Sequence, residues 1–160
     1  MPAASEAPGP HSETSGVAVP QTWRPLGARV MAGVASTALV GTVGGLWVAL
    51  PSESRADFSV FQLITLVLVF GAVLVVLYGL FRTRARADRD GLTVVNGYHR
   101  HRLQWAEIVR VSFGRSRAWA LLDLADGQTL AVMAIQNADG DRAIRQARQL
   151  AALVAHPPRP

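Results

Sequence analysis

Residues 60 to 81 constrain this chain more than any other segment. Sixteen of these twenty-two residues are Leu, Ile, Val or Phe, and none is charged. At roughly −0.3 to −0.6 kcal/mol for each such residue near a helix centre, insertion into a bilayer is favoured by several kcal/mol. A helix of this length reaches about 33 Å, enough to cross a hydrocarbon core of about 30 Å. A second uncharged run, Val30 to Leu50, is twenty-one residues long. Gly33, Gly41, Gly44 and Gly45 lower its hydrophobicity, so its insertion leans on its neighbour. Residues 51 to 57 are too few to do anything but turn, so the two spans form an antiparallel transmembrane hairpin with both ends on one side. Arg24 and Arg29 precede the hairpin, and Arg82, Arg84, Arg86 and Arg89 follow it, against Arg55 alone in the loop. The positive-inside rule then predicts a multi-pass protein of the cell membrane with both termini in the cytoplasm.

The remaining composition excludes several kinds of chemistry. There is no cysteine, hence no disulfide, thiolate metal site or cysteine nucleophile. All sixteen basic residues are arginine, which removes Schiff-base and lysine catalysis. The net charge of +5 would suit an anionic partner. In a membrane chain, topology-setting arginines account for it first, and nucleic acid is not an expected partner.

Residues 1 to 28 are rich in Pro, Ala, Ser, Gly and Glu without apolar periodicity, and read as a disordered tail. No signal peptide is expected, because the first arginine is Arg24 and the apolar run begins only at Val30. Beyond residue 84 the pattern changes to short alternating segments separated by Asp90-Gly91, Asn96-Gly97, Gly114 to Ser116 and Asp126-Gly127. Six strands are predicted at about 84–88, 92–96, 98–104, 108–113, 118–125 and 128–135. The close spacing requires antiparallel hairpins. After Asn137, residues Ala143, Ala147, Leu150, Ala151 and Val154 recur at helical spacing, with Asp139 as the expected N-cap and His156-Pro157-Pro158 as the stop. This domain, residues 84 to 156, leaves a short tail at 157–160.

The succession Asp90-Gly91-Leu92, Asn96-Gly97, Trp105-Ala106-Glu107-Ile108 and Asp126-Gly127, placed after paired apolar helices, resembles the membrane-anchored PH-like proteins of actinobacteria. These are called PH domain-containing or low-molecular-weight antigen PH-like proteins. The resemblance covers about residues 24 to 156. It implies an α+β fold in which a bent, antiparallel, partly open barrel of about six strands is capped by a C-terminal helix. It also implies a binding or scaffolding module without catalysis. PH domains that bind phosphoinositides place a basic residue before an Arg-x-Arg on the first hairpin. Arg89 with Arg100-His101-Arg102 matches that pattern only loosely.

Six residues are candidates for contact with anionic headgroups or a partner: Arg82, Arg84, Arg86, Arg89, Arg100 and Arg102. Arg110, Arg115 and Arg117 would extend the basic surface if neighbouring strands align. Alternation puts Arg100 and Arg102 on one strand face and His99 and His101 on the other. Two histidines without a third ligand do not make a zinc site, so neither metal nor cofactor is expected. Trp105 reads as a core anchor, and Glu107 as an orienting partner for Arg110. No nucleophile, base and orienting group can be assembled, so the chain is not expected to be an enzyme. In the first span Gly33, Thr37, Gly41 and Gly45 form a small-residue stripe that admits close approach of a helix. That helix is the second span, a second copy or another membrane protein, which leaves open an accessory subunit whose helices join a larger membrane complex.

Overall fold

The computed structural model describes residues 19–114 and 116–158. A short strand, β1 (Gln21–Trp23), comes first. Three helices follow: α1 (Leu26–Ala49), α2 (Ser52–Ala56) and α3 (Val60–Arg82). Six strands come next: β2 (Arg84–Ala87), β3 (Gly91–Asn96), β4 (His99–Gln104), β5 (Ile108–Ser112), β6 (Trp119–Leu124) and β7 (Thr129–Gln136). The last helix is α4 (Asp141–Ala155). Every strand pairing is antiparallel, giving one sheet in the order β1-β2-β3-β4 and another in the order β5-β6-β7. Among the described residues no pairing joins the two sheets into a closed barrel.

Both α1 and α3 are long and apolar enough to cross a membrane. Their side chains are largely exposed, with Val48 75% and Phe61 78% accessible, and only Ala32 of α1 and Gly79 of α3 are buried. A helix apolar all round and packed on so little protein matches an apolar solvent better than water. Gly33 lets the Phe81 ring lie 3.4 Å from where its Cβ would stand, and Trp47 meets Phe58 edge-on at 5.4 Å. A capping box starts α3: Ser59 Oγ accepts from the Gln62 amide, and the Gln62 side chain accepts from the Ser59 amide.

The reading of residues 1 to 28 as a tail needs correction over its described part. Residues 1 to 18 lie outside the described residues, but Gln21–Trp23 pairs with β2, Trp23 against Ala85. Trp23 is 2% exposed and its indole N–H donates to Gln149 Oε1 of α4. A three-residue strand has no periodicity to detect. It is held by the large apolar area of one tryptophan and by a ready-made edge on β2. The fold therefore has a seventh strand, the fourth of its sheet, and the apolar hairpin is an insertion between two neighbouring strands.

A second correction concerns Asp139. Its carboxylate does not cap α4, which starts after Gly140 with no side-chain cap. It accepts instead from the first amides of α1, Leu26 N at 3.1 Å and Gly27 N at 2.9 Å. Pro25 at the start of α1 has no side chain able to accept, so those orphan amides take a carboxylate brought from more than a hundred residues away. This cap also explains why α1 begins at Leu26 rather than Val30.

The core lies between the sheets and α4: Trp23, Leu92, Val94, Trp105, Ile108, Leu122, Val132, Ile135, Leu150 and Leu153 are all buried. Trp105 sits in a 3-10 turn and donates to Asp88 O. Glu107 does not orient Arg110. It accepts from the Gln104 amide at 2.7 Å, closing the turn that joins the sheets. Asn96 crosses from β3 to β7, donating to Ala131 O and accepting from Met133 N.

Candidate functional site: an arginine cleft at the helix ends

The sheet register decides which arginines meet. In β2, Ala85 and Ala87 point into the core with no exposure, so Arg84 and Arg86 point outward. Across the sheet Thr22 stands opposite Arg86, Arg86 opposite Thr93, and Thr93 opposite Arg102. One step nearer the helices, Arg84 and Arg100 flank Val95, and Arg24 follows Trp23 on the same side. Strands about 4.8 Å apart bring these residues to one surface. They line a cleft of about 310 Å³ formed by Thr22, Arg24, Arg84, Arg86, Asp88, Thr93, Arg100 and Arg102.

Five guanidinium groups thus share a cleft with a single carboxylate, Asp88, whose Oδ1 already accepts from the Gly91 amide. Among the described residues none of the five has a hydrogen-bond or ion-pair partner. Like charges held together by a backbone register repel one another, and a bound anion relieves that repulsion. Guanidinium is suited to phosphate, which it can meet with two parallel hydrogen bonds. Arg24 lies two residues before α1, and Arg84 two residues after α3. The cleft therefore opens where both apolar helices end.

Of the six arginines expected at the site, Arg84, Arg86, Arg100 and Arg102 line the cleft. Arg82 ends α3 and lies over the Tyr98 ring, 5.6 Å from its centre. Arg89 sits apart, in the β2–β3 turn beside Trp105 and Pro157. Arg115 lies outside the described residues. Of the other four lining residues, Asp88 and Thr93 belong to the domain the sequence predicts, whereas Arg24 and Thr22 were hidden in a segment read as a tail. Their one local signal is a large aromatic residue, Trp23, standing between the two polar ones. The β3–β4 hairpin also reaches α3. Gly97, at φ 62°, takes the first position of a two-residue turn with Tyr98, as this turn type favours, and its amide donates to Thr83 Oγ1. The Tyr98 hydroxyl donates to Val75 O, and its ring packs over Gly79.

The stripe on α1 is divided. Gly33 faces α3, whereas nothing approaches within 4 Å of a Cβ placed on Gly41 or Gly45, and Thr37 is exposed.

Seven antiparallel strands in two sheets, closed by a C-terminal helix, set the context for the comparison with known proteins. The bacterial PH domain family matches residues 82–152. Uncharacterized protein Rv1417 of Mycobacterium tuberculosis is 37% identical over 137 residues, covering 83% of this chain and 84% of its own length. This chain belongs to the bacterial PH domain family. Uncharacterized protein Mb1452 of Mycobacterium bovis matches with the same identity and coverage. No solved structure matches the chain. The family match starts at Arg82, so Thr22 and Arg24 of the arginine cleft lie outside the segment that defines the PH domain.

Proposed function

We propose that this PH domain protein is a membrane-anchored, non-catalytic binding module that holds phosphate-bearing anionic lipid headgroups at the cytoplasmic leaflet. One observation carries the reading: five unpartnered arginines share a cleft at the point where both apolar helices end. The excess of arginine at the hairpin ends over the single Arg55 in its loop supports the cytoplasmic side. Each arginine near an anionic leaflet contributes about 1 kcal/mol. Tethering raises the effective concentration of the domain at that surface, so modest contacts suffice.

The test uses the full chain in nanodiscs of phosphatidylcholine containing a small fraction of spin-labelled phosphatidylglycerol. Phosphatidylglycerol should be immobilised in preference to labelled phosphatidylcholine, and the preference should fall with added salt. The double variant Arg86→Gln/Arg102→Gln removes about 2 kcal/mol by the same measure, roughly a 30-fold loss of preference. Equal retention of the two lipids by the unaltered chain would refute the proposal.

A second reading, in which the helices assemble with another membrane protein or a second copy, draws on the open positions at Gly41 and Gly45. Gly41→Leu/Gly45→Leu should then abolish co-purification with a membrane partner while leaving headgroup selectivity intact. Loss of headgroup selectivity with partner capture unchanged would sink this reading.

A further inference from the structure

The structure points to a second binding surface, which shares no residue with the arginine cleft: we propose that the free edge of β5, beside α4, accepts an extended acidic peptide as an added strand. The argument begins with the sheet edges. A strand edge presents unpaired N–H and C=O groups, and proteins normally blunt it with charge, brevity or cover. Here β1 is only three residues long, and β4 carries His99, Arg100, His101 and Arg102, all exposed. At the edge of β7, Ala131 O and Met133 N are occupied by the Asn96 side chain. Among the described residues this leaves β5, which pairs only with β6. Arg110 is its one charge, and Val109 stands 65% exposed.

Beside that edge is a groove of about 370 Å³ between β5 and α4. Val111 and Phe113 form its strand wall, and Ile144, Ala147 and Ala151 its helix wall. A strand laid along β5 would direct every second side chain into these apolar walls and bond its backbone to the free edge. The charge around the groove selects the other positions. Arg148 lines it, Arg145 is exposed less than a turn away, Arg110 lies on β5, and no acidic side chain is among the lining residues. The occupant that fits is an extended segment alternating apolar with acidic residues, such as a juxtamembrane stretch of another protein at the same surface.

The experiment uses the full chain in phosphatidylcholine nanodiscs and a fluorescent eight-residue peptide alternating valine and glutamate, read by anisotropy. Arg148→Glu, an exposed helix substitution, should weaken binding at least tenfold and create binding of the valine–arginine counterpart. N-methylation at alternate peptide positions should abolish binding in one frame and spare it in the other, because only alternate amides face β5. Four results overturn the proposal: no binding at millimolar peptide, equal effects of the two methylation frames, loss of binding in Arg86→Gln/Arg102→Gln with Arg148→Glu unaffected, or self-association of the chain through this edge without peptide binding.

Discussion

Replacing Asp139 by alanine tests whether the PH domain holds the first apolar helix. The wild-type carboxylate accepts from Leu26 N and Gly27 N at 3.1 and 2.9 Å. Loss of an N-cap costs about 0.5–2 kcal/mol, and loss of a negative charge at a helix N-terminus about 0.3–1 kcal/mol more. With two amides affected at a half-exposed site, about 2 kcal/mol is expected for opening the first turn of α1. That corresponds to about 30-fold faster exchange of the Leu26 and Gly27 amides, read by hydrogen–deuterium exchange on the full chain in nanodiscs. Asp139→Asn keeps an acceptor and loses the charge, so its effect should be well under half as large on the energy scale. The amides at the start of α4 should exchange at the wild-type rate in both variants. If Asp139→Ala instead accelerates exchange in residues 141–144 and leaves Leu26 and Gly27 unchanged, the carboxylate caps α4 and the reasoning fails.

Three other outcomes are expected. Gln146 is 8% exposed and its Oε1 has no partner, so Gln146→Met, of similar shape, should stabilise the fold by about 1 kcal/mol in urea unfolding followed by tryptophan fluorescence; a lower midpoint would contradict it. A Cβ on Gly91 would stand 2.1 Å from Leu103 O, a backbone atom that cannot swing away, so Gly91→Ala should cost about 3 kcal/mol in the same assay, and a change under 1 kcal/mol would show that the β3–β4 pair shifts freely. Tyr98→Phe should loosen the β3–β4 turn from α3, seen as faster exchange of the Gly97 amide with little change in the β5–β7 sheet; protection unchanged at Gly97 would leave its bond to Thr83 as the sole anchor.

What could be read from the sequence follows physical range. The apolar spans and the α4 stripe are strong local signals, repeated over many residues, and α3 and α4 appear close to where the pattern puts them. Strands β2 to β7 follow from alternation punctuated by Gly and Asp. The errors lie where a residue acts at a distance. Asp139 has the local setting of an N-cap for α4, yet its partners are at Leu26 and Gly27. Glu107 stands three residues from both Arg110 and Gln104, and sequence spacing alone could not choose between them. Half the cleft was legible in the same sense: alternation put Arg100 with Arg102, and Arg84 and Arg86 stood out as arginines following the hairpin, but joining the pairs requires the register through Thr93 and Val95. Arg24 required a strand that only its partner makes stable.

The insertion of the apolar hairpin between β1 and β2 governs the order in which the molecule can be made. Thr22 and Arg86 are register partners more than sixty positions apart, and in a free chain closing such a loop costs entropy before any strand contact returns it. Once α1 and α3 lie side by side in a bilayer, their ends are already neighbours. The closure then reduces to a local pairing of three residues with four. If the hairpin inserts as the proposed function requires, lipid would serve as a folding template: the sheet that carries the arginine cleft would be completed after the helices, at the surface where its proposed ligand is found.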